Sequence, residues 1–158
     1  FGLNNGMVPI IAYNYGARQP SRITGTLKRA VCAAMCMMLA GVLVFQLFPD
    51  ALLGIFEPSE SFLAIGTSAL RIISIHFPLA AVGIVLGASF QALGNGIYST
   101  ITSLCRQLII LLPAAYLLSL TGNVNAVWWA FPIAEFVSLL VSVLFYSRIY
   151  RAKIRPLF

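Results

Sequence analysis

The chain has 158 residues, of which 60% are hydrophobic and only 9% charged, with a mean hydropathy of +0.94 and a formal net charge of +6. Soluble domains carry about 25% charged residues, so this composition excludes a water-solvated globule and points to an integral membrane protein. The basic excess does not mark a nucleic-acid surface, because it is divided along the chain: Arg18, Arg22, Lys28 and Arg29 share one short segment, Arg148, Arg151, Lys153 and Arg155 another, and Asp50, Glu57 and Glu60 lie in a third.

A membrane-crossing helix needs about 20 predominantly apolar residues. On that measure the expected fold is all-α: a polytopic membrane helix bundle with about four full transmembrane helices plus part of a fifth. The chain opens on FGLNNGMVPIIAYNYG, read as a partial span over 1–16. It lacks a basic n-region or small-residue cleavage site, so no signal peptide is expected. Because it begins with Phe1 inside an apolar run, it is read as a fragment that opens within a span. Two adjacent amides, Asn4 and Asn5, are costly to turn toward lipid, so at least one should face the bundle. Tyr13 and Tyr15 suit a membrane interface, Gly16 suits a helix C-terminus, and Asn14 extends the set of polar groups available to a path through the protein.

The basic segment 17–29 reads as a loop, followed by a span over 30–48 that carries Cys32 and Cys36 on one helix face. Two thiols without His or carboxylate neighbours do not complete a tetrahedral metal site. With Cys105 they read as small buried packing residues, and no metal is expected.

An acidic loop over 49–61 precedes a span over 63–93 that contains Arg71, His76, Pro78, Gly83, Gly87 and Gln91. The GxxxG pair Gly83 and Gly87 permits close approach of another helix. His76, two residues before Pro78, is a candidate for coupling proton binding to transport; a neutral hydrogen-bonding histidine is the alternative. The turn GNG at 94–96 leads to a span over 98–120 with Arg106, Gln107 and Pro113, and a span over 126–147 with Pro132 and Glu135. The tail 148–158 is basic.

Charge fixes the orientation. The 17–29 segment has four basic residues and no acid, the 49–61 segment three acids and no base, and the tail four basic residues and no acid. Positive segments lie inside, so the C-terminus is expected in the cytoplasm of a multi-pass cell-membrane protein, with the lipid bilayer as its first partner.

Charges at mid-bilayer cost about 2.5–3.5 kcal/mol on insertion scales, which makes the few interior ionisable residues informative. Arg106 is close enough to the cytoplasmic start of its span for its side chain to snorkel. Arg71 and Glu135 lie about 12–14 Å along their helices from the outer side. They share a depth and carry opposite charge, and are expected to pair. Pro9, Pro78, Pro113 and Pro132 are expected to kink their helices.

Four stretches, taken in order, resemble one family. GLNNGMVPIIAYNYGARQPSRI is similar to the segment of multidrug and toxic compound extrusion (MATE) transporters in which a span ends in Pro-x-x-x-Tyr-Asn-x-Gly-Ala before a basic loop. LRIISIHFPLAAVGIVLGASFQALGNG resembles the later span ending in a Gln-Ala-Gly-like turn, and RQLIILLPAAYLLS and VWWAFPIAEF resemble the last two spans. The resemblance implies the C-terminal lobe of a twelve-helix transporter, from the middle of the eighth span onward, its partner being the N-terminal lobe of the same polypeptide. It implies secondary active multidrug efflux: Na⁺- or H⁺-coupled antiport of small organic, often cationic compounds by alternating access, with no cofactor beyond the coupling ion. The transport-path and coupling candidates are Asn4, Asn5, Tyr13, Asn14, Arg71, His76, Gln91 and Glu135. One departure bears on coupling. Some family members carry a cation-binding carboxylate in the span corresponding to 63–93, and this segment has no Asp or Glu.

Two other transport-free or related readings remain open: a lipid-linked oligosaccharide flippase of the same superfamily, and a non-transporting membrane scaffold. An enzyme is not expected, since catalysis needs a convergent nucleophile, base and orienter, and His76 and Glu135 are the only plausible acid–base pair.

Overall fold

The computed structural model describes residues 1–57 and 59–158. Among these every regular element is helical: α1 (Gly2–Gly16), α2 (Pro20–Leu47), α3 (Pro49–Gly54), α4 (Glu60–Ser74), α5 (Phe77–Ala92), α6 (Gly96–Leu104), a π-helical segment (Cys105–Leu111), α7 (Leu112–Ser119), α8 (Val124–Val127) and α9 (Ala130–Ile149). Among the described residues three helical runs are long and apolar enough to cross a membrane: Pro20–Leu47, Gly96–Ser119 and Val124–Leu157. A fourth crossing is available if α4 and α5, bent by 51° at a short break, count as one span.

α5 is the axis of the bundle. It packs against α1, α2 and α9, and its buried residues Ala81, Val85, Leu86, Ala88 and Phe90 meet Met7 and Ile11 of α1, Ile23, Leu27, Ala30 and Ala34 of α2, and Ile149. Four of these twelve are alanines, which let backbones approach closely where lipid supplies no hydrophobic drive between helices. The outer surface is apolar, with Leu43, Leu47, Ile109, Leu117 and Leu144 each exposed.

The two ends of the bundle are built differently. At one end α1 closes with Arg18 in the left-handed region (φ 52°), where Gln19 N–H donates to Asn14 O at 2.9 Å and Arg18 N–H to Tyr15 O at 3.2 Å. The same pair of bonds closes α5: Gly94 (φ 72°) follows Leu93, Asn95 N–H donates to Phe90 O at 2.7 Å and Gly94 N–H to Gln91 O at 3.0 Å. This is the Schellman pattern. The left-handed residue at the end of α1 is thus Arg18, while Gly16 is the last helical residue. Lys153 straps this end together, donating to Leu93 O at 2.7 Å with its ammonium 5.7 Å from the Tyr15 ring centre. At the opposite end Ser59 caps α4 by accepting from Phe62 N–H at 3.4 Å, and Thr67 donates to Asp50 at 2.6 Å, tying α4 to α3.

The helices begin and end differently from the sequence expectation. α2 starts at Pro20, well before the apolar run, so Arg22, Lys28 and Arg29 ride on its first turns and the connection is only 17–19. Proline at the first helical position needs no N–H partner, and Ile23 and Leu27 are buried against the core. α3 occupies half of the acidic connection, and helical geometry continues through the basic tail to Leu157.

The prolines also act differently from one another. Pro9 alone lies inside an α-helix. Pro78, Pro113 and Pro132 sit in the first turns of α5, α7 and α9, where a missing N–H costs little. Pro78 stands beside the 51° bend. Pro113 is not a comparable kink: it cannot donate to Ile109 O, and the seven residues before α7 take π geometry within a run that stays continuous from Gly96 to Ser119. Pro132 does not kink α9 midway but marks its start after the turn at Trp128 and Trp129. Cys32 and Cys36 are exposed on the apolar exterior, not buried, and Cys105 is half-buried.

Candidate functional site

The site is built around the buried carboxylate of Glu135. α9 starts at Ala130, so Glu135, Ser138 and Ser142 fall on one face, and all three are buried. That face lies against α5 where it carries Gly83; an added Cβ there would stand 3.2 Å from Glu135 Oε1. The GxxxG pair therefore does more than bring helices together. Gly83 clears room for a carboxylate, and Gly87 faces Ser99 of α6.

Arg106 Nη1 donates to Glu135 Oε2 at 3.4 Å, the only ion pair among the described residues. The carboxylate side chain is 6% exposed and the guanidinium 31%. The expected Arg71–Glu135 pair does not form. Arg71 is exposed at the last turn of α4, and α4 touches α9 only slightly because the bend swings it away, whereas the π-helical segment packs along α9. Arg106 accordingly turns inward instead of snorkelling to the nearer interface. Wider π turns re-aim side chains and recur at functional sites; here they carry Arg106 and Gln107 to one cavity.

Two cavities of about 320 Å³ each adjoin the pair, Arg106 lining both and Glu135 the second. The first is the more polar of the two and collects Asn4, Asn5 and Gln91 with Ser99, Thr102, Ser103 and Ser138, with Arg106 in its wall. Gln91 donates to Ser99 Oγ at 3.0 Å. The second is mostly apolar and is lined by His76, Phe77, Phe131, Leu111 and Met38, with Glu135, Arg106 and Gln107 as its polar groups. The His76 ring stacks over Phe131 at 6.3 Å and meets Phe77 edge-on at 5.3 Å. His76 Nδ1 and Glu135 Oε1 are buried without a hydrogen-bond partner.

Of the sequence candidates, the structure brings Asn4, Asn5 and Gln91 to one cavity and His76 and Glu135 to the other. It leaves three apart. Tyr13 is 74% exposed on the exterior. Asn14 is buried at the Arg18 end, donating to Ile10 O at 2.8 Å with its Oδ1 unpartnered. Arg71 enters only through its carbonyl, which accepts from Gln46 Nε2 at 2.8 Å and from Ser74 Oγ at 3.0 Å beside the α4–α5 bend.

Arg106 and Gln46 are the residues that sequence reasoning missed in these roles. Gln46 was legible as a lone amide in an apolar span, and such a group must find a partner in the bundle; its partner is the backbone at a break.

The arrangement is a charge pair with spare bonding capacity between a polar and an aromatic cavity, without a nucleophile held against a base. It suits reversible binding of charge. Residues 1–117 match the model of one protein family, described as MatE.

The chain belongs to the MatE family.

The MatE chain is 24% identical over 143 residues to the multidrug export protein MepA of Staphylococcus aureus (strain N315), covering 90% of this chain and 31% of that protein. Among solved structures, it is 34% identical to the MATE multidrug transporter DinF-BH in complex with R6G, with a TM-score of 0.86 over 97% of this chain and 34% of that one. It is 25% identical to a multidrug resistance MATE family transporter of the MOP superfamily in its inward-facing conformation, with a TM-score of 0.88 over 99% of this chain and 36% of that one. The MatE chain thus spans about a third of the length of the relatives it matches. It is a membrane protein with the fold of one transporter lobe.

Proposed function

We propose that this chain is the C-terminal lobe of a twelve-helix multidrug exporter, and that the whole protein expels small organic, often cationic compounds in exchange for Na⁺ or H⁺ by alternating access. The observation that carries the reading is Glu135, a buried carboxylate held in the second turn of α9 in a MatE lobe, with one long ion-pair contact and one unpartnered oxygen. Buried charges in membrane segments are costly and mark transport paths. The segment 63–93 has no carboxylate, which leaves Glu135 as this lobe's candidate for sensing the coupling ion. Binding a proton or Na⁺ there removes the counter-charge of Arg106. A change of that kind shifts the inward–outward equilibrium to the extent that the two states bind the ion differently. No covalent chemistry is required.

The end carrying the 17–19 connection, the Gly94 turn and the C-terminal segment faces the cytoplasm of the cell membrane in this reading. The support is charge: eight of the ten basic residues lie in the segments that flank that end, in keeping with the positive-inside rule. Alternating access needs a second lobe across the cavities, so residues 1–158 alone are expected not to transport.

The test uses the full-length transporter in proteoliposomes, following efflux of a fluorescent cationic dye under an imposed Na⁺ gradient and then a pH gradient. Gradient-driven efflux that Glu135→Gln abolishes supports antiport with Glu135 in the coupling. Efflux that survives the substitution leaves Glu135 as a structural partner of Arg106. Absence of efflux under either gradient from folded protein overturns the exporter reading in favour of a lipid-linked oligosaccharide flippase or a scaffold.

A further inference from the structure

The geometry of the second cavity carries an inference that rests on the exporter reading and adds a residue role to it. Glu135 lines this cavity together with the rings of His76, Phe77 and Phe131, and the Lys or Arg side chain that reaches it from within the described residues is Arg106. The contact between them is weak for its type. Charge-assisted N–H···O bonds are usually about 2.7–2.9 Å and often bidentate, whereas here a single Nη1 donates at 3.4 Å. Oε1, the second oxygen, is buried and accepts nothing, and Gly83 leaves it free of a side chain on the α5 side. Aromatic faces beside a carboxylate are what a desolvated organic cation requires, the rings through their quadrupoles and the carboxylate through its charge. A volume of about 320 Å³ falls at the small end of ligand sites.

Arg106 also has somewhere to go. It borders the polar cavity as well, beside Thr102, Ser103 and Gln91, whose oxygens are acceptors for a guanidinium that has left Glu135. Arg106 and its neighbours are in π geometry, and the side chain is a third exposed.

We infer that Glu135 with Phe77, His76 and Phe131 forms a subsite for the charged group of a compact organic cation, and that Arg106 is a tethered competitor for that subsite. In the empty lobe Arg106 neutralises the carboxylate. An arriving cation takes its place, and the guanidinium swings into the polar cavity. Arg106 is therefore a specificity-determining residue: a neutral ligand gains nothing at Glu135 by displacing it, and a cation must out-compete it.

Competition makes a prediction of unusual sign, because removing a positively charged residue lining the site strengthens cation binding through loss of a rival. The test is equilibrium binding of benzyltrimethylammonium, with its uncharged isostere neopentylbenzene as the neutral control, to the full-length transporter in detergent. Arg106→Gln is expected to tighten benzyltrimethylammonium by about fivefold and to leave the neutral probe unchanged. Arg106→Met, an apolar side chain of similar length, repeats the measurement if Arg106→Gln does not assemble, with the same result expected. Arg106→Lys, which keeps the charge, should stay within about twofold of wild type. In a Glu135→Gln background the Arg106→Gln gain should vanish, which a merely structural role for Arg106 does not produce. Unchanged or weaker cation binding in Arg106→Gln, or equal tightening of both probes, overturns the competitor role while leaving the exporter reading intact. Failure of wild type and every variant to bind benzyltrimethylammonium, with the neutral probe still bound, overturns the cation-export reading itself.

Discussion

Gly83 on α5 lies directly opposite Glu135 on α9, so close that a methyl group at position 83 would stand 3.2 Å from Oε1. Four residues along, a methyl group added at Gly87 would stand 3.6 Å from Ser99 Oγ, an ordinary contact. The two glycines of one motif therefore predict different substitution outcomes. Gly87→Ala should be neutral or stabilising by up to about 1 kcal/mol, the intrinsic helix preference of Ala over Gly. Gly83→Ala gains the same preference but must push the carboxylate against its only partner. It should therefore give the less stable protein of the two and lower dye efflux. Thermal unfolding of the detergent-solubilised variants, paired with efflux rates, separates them.

Breaking the ion pair from one side leaves a buried charge unmatched. Arg106→Leu strands Glu135, and because the guanidinium is itself a third exposed the expected cost is about 1–2 kcal/mol, below the 3–5 kcal/mol typical of fully buried pairs. The double variant Arg106→Leu with Glu135→Leu removes both charges and should recover most of that loss. Unfolding midpoints of the two singles and the double close the cycle.

Gln46 holds the break between α4 and α5 from the side. Its amide donates to Arg71 O at 2.8 Å and to Ser74 Oγ at 2.9 Å. Gln46→Leu keeps the volume and removes both bonds, and should cost about 1–2 kcal/mol. The loss should appear locally as faster amide hydrogen exchange over 71–77, with exchange in α5 beyond Ala80 unchanged.

Lys153 joins the tail to two helix ends at once. Lys153→Met keeps the stem and removes both the bond to Leu93 O and the ammonium above Tyr15. The expected loss is about 1 kcal/mol, with accelerated exchange confined to 150–157 and to the Gly94 turn. A protected tail in this variant would show that packing of Ile154, which is fully buried, suffices without the strap.

Much of the fold was legible because membrane helices declare themselves through apolar length alone. The crossings, their short connections and the basic character of one end follow from composition along the chain. The ends of the helices were not legible in the same way: Arg22, Lys28 and Arg29 looked like loop because they are charged, yet Ile23 and Leu27 at helical spacing are buried in the core, and Pro20 opens the helix. The ion pair shows a second limit. Depth along a helix placed Arg71 level with Glu135, but pairing depends also on which helices touch and which way each face turns. The 51° bend removed Arg71 from α9 and the π turns delivered Arg106. Neither rotation is written in hydropathy.

The π-helical segment has one more consequence, for insertions and deletions. A π turn accommodates one residue more than an α-helix of the same rise. Deleting a single residue between Cys105 and Leu111 would let the run from Gly96 to Ser119 close as uninterrupted α-helix, while rotating everything on one side of the deletion by about 100° relative to the other. Arg106 and the α7 face that packs on α9 could then no longer both be in phase with Glu135's helix. The lobe would keep its length, hydropathy and crossings, and lose its internal charge pair. In this segment spacing, as much as residue identity, carries the site.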